Sequence, residues 1–293
     1  MTDNQILTFK ISGEEFNKGY NLYHLNKGLS NFHALIDKAY LIKENKSKMT
    51  DKDRDKLQIK AFNIREGSFE ADLAIHLVGI SMSLLPAFPT LSPTELWDLV
   101  TRGYNYLKKI LELNGQGIDI NVNTTGDQYG NIKVNVYNGN GEILIEESPQ
   151  VTAYASRSQK TFEEISRSIN PKRGIDYLTV FDKNNFENSI RVGAEEKVIF
   201  ENHKRIEPNA IEFKGFITKS NSENFTGKLK VLSTSDELDL GDYNFEFAVK
   251  NNPDKLRETY LTEKTFYAYK ETSLNAGTLE RKVSKLKIIE VAD

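Results

Sequence analysis

Every second position from Phe69 to Leu77 is apolar, with Phe69, Ala71, Leu73, Ile75 and Leu77 on one side. That period of two predicts a half-buried strand. The preceding apolar-rich run LQIKAFNI, from Leu57 to Ile64, predicts a second strand, joined to the first by a turn at Glu66-Gly67-Ser68. Helical spacing takes over on either side. From Leu22 onward Leu25, Leu29, Phe32, Ile36, Ala39 and Tyr40 recur at three- and four-residue steps, a single buried stripe. Gly28 within it costs roughly 1 kcal/mol relative to alanine, so a close packing contact is expected there. The polar segment from Lys43 to Lys56 connects this helix to the strands, and Thr50-x-x-Asp53 caps at most one turn inside it.

A proline-punctuated link, PAFPTLSP, leads into Ser92-Pro93-Thr94-Glu95. Here a serine N-cap, proline at the first helical position and a glutamate closing a capping box start a helix. Leu96, Val100, Tyr104, Leu107 and Leu111 form its apolar stripe, Trp97 lies in it, and Asn114-Gly115 stops it. With a first strand over Ile6–Ile11, residues 1–116 read as an α+β domain: two helices on one face of a mostly antiparallel sheet.

The pattern then changes. Residues 118–147 are rich in Asn and Gly, with β-branched residues alternating around Ile118–Val122, Ile132–Val136 and Ile143–Ile145. The turns TTGDQYG and NGNG between them predict a three-stranded meander, an arm too poor in large apolar residues to make a core alone. A polar helix follows over about Pro149–Ile169, then a short strand at Leu178–Val180, completing a second region over 117–192. From about Gly193 the periodicity is almost wholly that of strands: Val198/Phe200, Ile211/Phe213/Ile217, Leu229/Val231, Tyr243/Phe245/Phe247/Val249, Phe266–Tyr269 and Val283–Val291. About six short strands over 193–293 predict a small barrel or sandwich.

Composition narrows the function classes. With 39 basic and 42 acidic residues the net charge is -3, which gives no general attraction to phosphate backbones. The absence of cysteine excludes disulfides, thiolate nucleophiles and cysteine-ligated metal sites. The start MTDNQILTFK has neither the basic nor the apolar region of a signal peptide, and LAIHLVGISMSLLPAF is too interrupted to span a membrane, so a cytoplasmic protein is expected.

Chemistry-bearing residues are sparse. Glu70, Asp72 and His76 share the polar side of one strand. Two carboxylates and an imidazole are a donor set for a divalent metal or for acid–base work. The alternative is a solvated face, or one paired with lysines of a neighbouring strand. His24 and His33 stand nine residues apart on one helix, too far for a shared metal, and His203 is isolated in a charged loop. No HExxH, GxSxG or P-loop pattern occurs, and NGNG lies between strands rather than at a helix start. No catalytic or cofactor-binding residue is assigned. The aromatics Tyr243, Phe245, Phe247, Phe266, Tyr267 and Tyr269 could stack single-stranded bases if exposed, but the clean alternation of Tyr243, Phe245 and Phe247 places those three in a core.

Several blocks together, FKISGEEFNKGYNLYHLNKGLSNFHALIDKAYL, REGSFEADLAI, PTELWDLV, TTGDQYGNIKVNVYNGNGEILI, RGIDYL, FTGKLKV and GDYNFEF, resemble a family of bacterial and prophage proteins of similar length with no assigned chemistry. The resemblance spans nearly the whole chain. It implies association with bacterial mobile elements or with their conflict with phage. The reading that follows is a non-enzymatic protein-interaction protein, homo-oligomeric through the arm, an accessory or antagonist of anti-phage defence of the Gabija type. Two alternatives stand beside it: nucleic-acid binding through the C-terminal barrel, and a metal-dependent enzyme built on Glu70, Asp72 and His76.

Overall fold

A computed structural model describes residues 5–16, 19–65, 68–78, 91–116, 120–121, 132–138, 141–201, 204–234, 238–249 and 253–292. The chain is mixed α+β and divides into two compact units: Met1–Asn202 with Ala276–Leu279, and His203–Asn275 with Glu280–Asp293.

The first unit is built on a five-stranded antiparallel sheet. Its strands are β1 (Gln5–Ser12), β2 (Leu57–Arg65), β3 (Phe69–Leu77), β7 (Tyr177–Asp182) and β8 (Asn185–Val192), in the order β2-β3-β1-β7-β8. β1 is central because it pairs with β3 on one side and β7 on the other, Phe9 facing both Ala71 and Val180. The sheet therefore draws strands from beyond residue 116. The expected boundary there gives way to a unit running to Asn202, because pairing with β1 holds β7 and β8 in the same core.

Helices α1 (Leu22–Lys43) and α3 (Pro93–Gly115) supply the apolar cover of one sheet face, and α4 (Pro149–Ser168) packs against these two helices. Gly28 of α1 makes the close approach expected of it, since a Cβ there would lie 2.7 Å from Ile11 Cδ1. Phe32 packs edge-on to Phe9 and beside Trp97, which is 1% exposed. Both sequence-level caps form: Ser92 and Glu95 close a capping box on α3, Thr50 and Asp53 one on the short α2 (Asp51–Lys56). The open edge of β8 is covered by α3, as Trp97 Nε1 donates to the carbonyl of Asn188 at 3.0 Å and the Tyr104 hydroxyl donates to that of Arg191. Those two carbonyls are thereby closed to pairing with another strand.

The strand expected at Val198/Phe200 is a helix, α5 (Ala194–Glu201). Val198 is 59% exposed and Phe200 fully buried, so the two do not share a face as strand neighbours would. Phe200 stacks on Phe162 of α4 at 5.6 Å. The arm is a separate sheet, β4 (Ile120–Asn121), β5 (Ile132–Asn138) and β6 (Gly141–Glu147), paired antiparallel in chain order. The turn TTGDQYG, parts of the Glu66-Gly67-Ser68 and NGNG turns and most of the PAFPTLSP link lie outside the described residues, as does His203.

In the second unit the strands are β9 (Lys204–Asn221), β10 (Thr226–Thr234), β11 (Gly241–Phe247), β12 (Lys264–Leu274) and β13 (Arg281–Ala292), with a short helix α6 (Pro253–Glu258) between β11 and β12. They close on themselves in the order β10-β11-β13-β12-β9, antiparallel throughout except for the parallel pair β11–β13. Phe213, Ile217, Leu229, Phe245, Phe266, Leu286 and Ile288 fill the interior. Phe245, Phe247 and Phe266 are therefore core residues, with Phe213 stacked on Phe266 at 5.4 Å.

Candidate functional site

Two polar faces carry the chemistry, and a β-bulge shapes each. On β2, Phe62 faces Asp72 while Arg65, not Ile64, faces Glu70. The extra residue is accommodated at Asn63, whose φ is 52°. Strand side chains alternate between faces, so one inserted residue turns the next side chain to the opposite face. Arg65 is thereby aimed onto the polar side of β3.

The result is a closed charge network. Arg65 Nη2 and Nη1 donate to the two carboxylate oxygens of Asp72 at 2.8 and 3.3 Å, and Nε donates to Glu70 at 2.8 Å. Asp72 also accepts from Lys183 at 2.9 Å, Asn63 at 3.1 Å and Thr8 at 3.2 Å, and it is 4% exposed. Glu70 has a second cation, Lys10, at 3.5 Å. The Arg65 guanidinium, reinforced by Lys183, Asn63 and Thr8, holds the Asp72 carboxyl far below the usual carboxylate range against the opposing effect of burial. His76 lies opposite Gln58, four residues along the strand from Asp72. At about 3.3 Å per residue that is about 13 Å, too far to share an ion with it. Among the described residues no three His, Asp or Glu side chains gather in a metal-binding group. The face carries a lysine of the neighbouring strand, Lys10, and also Lys183 and an arginine that the sequence reading did not name, Arg65.

His33 and His24 are apart from this face. His33 Nε2 accepts from Arg54 Nη1 at 2.9 Å, and Arg54 grips Asp37 through two bonds of 2.6 Å, an α1–α2 clasp. His24 sits near the start of α1 with its ring edge-on to Tyr23.

The second face is on the barrel. β9 runs with Ile211, Phe213 and Ile217 inward, and simple alternation would send Lys219 inward too. The register shifts instead: Leu229 faces Ile217, while Lys228 faces Lys219, leaving Thr218 as the extra residue. Its hydroxyl donates to the Lys228 carbonyl at 3.2 Å. The bulge turns Lys219 outward, directly across from Lys228. The next pair along is Phe216 and Lys230, with Phe216 half-buried on the same outer side. None of Lys214, Lys219, Lys228 or Lys230 has an ion-pair partner among the described residues.

At this end of the barrel lies a cleft of about 500 Å³, lined by Lys219, Asn221, Thr226, Lys228, Asn244 and Lys285 among others. Lys285 is held by Glu246 at 3.1 Å. Gly227 forms part of the wall, where a Cβ would run into the Lys219 carbonyl and approach the Phe245 ring at 2.8 Å. Tyr267, at the far side of β9, faces Glu212, and its hydrogen bond to that carboxylate raises the phenol's pKa. No sequence motif signals this cleft, because the residue that makes it is a bulge. No helix among the described residues is long and apolar enough to cross a membrane. No protein-family model, curated protein or solved structure matches the chain.

Proposed function

We propose that the barrel unit is a binding module for single-stranded nucleic acid, held across the outer side of β9, β10 and β11. The observation that carries this reading is the group of four lysines, Lys214, Lys219, Lys228 and Lys230, none in an ion pair among the described residues although Asp242 faces Lys230 in the strand register, with Phe216 among them. Single strands are held by a basic groove that follows the backbone and by aromatic rings on which bases stack. Five-stranded barrels of the OB type take oligonucleotides and oligosaccharides on the face of their second and third strands, the positions of β10 and β11 in this unit. The net charge of -3 means that attraction has to come from this patch and not from the chain as a whole. Phe245, Phe247 and Phe266 are buried and offer no stacking surface, whereas Tyr243, Tyr267 and Tyr269 are half-buried. Fluorescence anisotropy of labelled oligo(dT) with the full chain tests the reading. Binding at low salt that weakens steeply as salt rises is expected; a flat trace at the lowest salt overturns it.

A second reading, a protein-interaction role in bacterial anti-phage defence, draws on the first unit. Phe186 of β8 is 69% exposed and stacks on Phe181 at 5.6 Å, on a sheet that also leaves Ile6 42% exposed. Exposed aromatics of this kind anchor protein interfaces. Affinity purification from a bacterial host decides it. A stoichiometric companion that is lost on Phe186→Ser supports the role, and one retained by that variant removes Phe186 from it.

A further inference from the structure

The like-charged pair Lys219–Lys228 is not explained by folding. Residues directly opposite on an antiparallel pair have Cβ atoms about 5 Å apart, and equal charges there are destabilising. A bulge at Thr218 brings this pair about, so the chain spends a structural device on an unfavourable contact. The comparison with β2 is direct: there a bulge turns Arg65 onto two carboxylates, whereas here it turns a lysine onto another lysine. The groups that surround the pair are Asn221 and Asn244, Thr226, whose hydroxyl donates to Asn224 at 2.6 Å, and Lys285, which is paired with Glu246, around an open cleft of about 500 Å³.

We infer that this cleft is a phosphate seat, in which Lys219 and Lys228 close on one phosphodiester from opposite strands while the Asn244 side-chain amide offers a hydrogen bond to its oxygens. An anion between the lysines turns their repulsion into two charge-assisted hydrogen bonds. The absence of any described carboxylate partner leaves both ammonium groups available for it. Phosphate contacts position a nucleic acid without reading its bases, so the seat supplies affinity that does not depend on sequence. This inference rests on the nucleic-acid reading for the identity of its natural ligand, but the seat itself is defined for any phosphate.

The test uses the full chain as wild type, as Lys219→Ala/Lys228→Ala and as Lys60→Ala, a control at an exposed lysine on β2. Each is titrated with labelled oligo(dT) over a range of salt concentrations, and each is melted with and without pyrophosphate. The double variant is expected to bind at least about tenfold more weakly, with a salt slope shallower by about 0.7, the loss of one phosphate contact on a single strand. Pyrophosphate is expected to raise the melting temperature of the wild type and of Lys60→Ala but not of the double variant. Wild-type binding that the double variant retains in full overturns the seat and leaves the nucleic-acid reading standing. Pyrophosphate stabilisation confined to chains with both lysines, without oligo(dT) binding, supports the seat and overturns that reading. Neither response overturns both. Because both side chains are exposed and repel each other, the double variant folds, and its melting temperature without ligand should equal or exceed that of the wild type.

Discussion

Arg65 stands opposite Glu70, and not one residue out of step, because Asn63 takes up a bulge with a φ of 52°. That single insertion decides the chemistry of the outer side of β3. It delivers a guanidinium to Asp72 and Glu70 together, and carboxylates whose oxygens are taken by Arg65, Lys183, Lys10, Asn63 and Thr8 have little left to offer an ion. The polar alternation of β3 is thus the outer lining of a sheet whose other face makes the core.

Acid should expose this network. Asp72 is held below its ordinary pKa chiefly by Arg65, and Asp53 likewise by Lys46 and Thr50. A carboxyl with a lower pKa folded than unfolded adds stability above its unfolded value, near 4, and loses it as pH falls from there toward the folded value. Stability followed by urea unfolding should therefore decline below about pH 4. Asp72→Asn should lower stability at neutral pH while flattening that acid decline. An acid limb as steep as in the wild type would remove Asp72 as a cause.

Gly103 on α3 tests helix packing against helix propensity. A Cβ at this position would run into the Tyr154 ring, which is fully buried on α4. Alanine is worth about 1 kcal/mol over glycine in a helix interior, but overpacking a rigid core costs about 1–3 kcal/mol. Gly103→Ala should be destabilising by up to about 2 kcal/mol by denaturant unfolding. A stabilised variant would mean that α3 and α4 separate freely at this contact.

Local signals were legible and long-range ones were not. Ser92 and Glu95, Thr50 and Asp53, and the Gly28 contact all follow from spacing within one turn or two. The recruitment of β7 to β1 depends on pairing across more than 160 residues, which no periodicity records. Val198 and Phe200 mimic strand alternation, although the run AEEKVIFE, with Glu195 and Glu196 in its first turn, carries the propensity and charge of a helix start. Both bulges were invisible because an inserted residue leaves composition unchanged and breaks the alternation by one place only. The lysine cleft consequently has no counterpart in the linear pattern. Glu70, Asp72 and His76 do share a face, as alternation requires, yet alternation says nothing of what the neighbouring strands bring to it.

Phe200→Ala should show that α5 is part of the first core. Its ring lies parallel to Phe162 at 5.6 Å and within 6.0 Å of Tyr104. Truncating a buried phenylalanine costs about 3–5 kcal/mol. Urea unfolding checks this; a loss below about 1 kcal/mol would indicate that the helix end is held by other contacts.

Self-association through the arm predicts a change of mass. β4, β5 and β6 form a sheet of their own, tied to α3 by Arg102 and Glu147 at 2.6 Å. Removing residues 118–147 should leave a cooperatively unfolding protein whose light-scattering mass falls to that of one chain. An unchanged mass would place any oligomer contact elsewhere.

Trp97 joins packing to edge protection, and its replacement separates the two. Its ring is 1% exposed beside Phe32, and its Nε1–H satisfies the Asn188 carbonyl on the outer edge of β8. Trp97→Phe keeps an aromatic ring but leaves a void and an acceptor without its donor. The unpaired carbonyl alone costs about 1–3 kcal/mol where water cannot reach it. The total should be about 2–4 kcal/mol, read by circular dichroism because the chain's one tryptophan is gone. Ser92→Ala, which removes the cap of the same helix at its exposed end, should cost only about 1 kcal/mol. If both variants lose the same small amount, α3 is held chiefly by its start. If Trp97→Phe loses more, the helix is anchored by its contact with the sheet edge, as its two hydrogen bonds to β8 require.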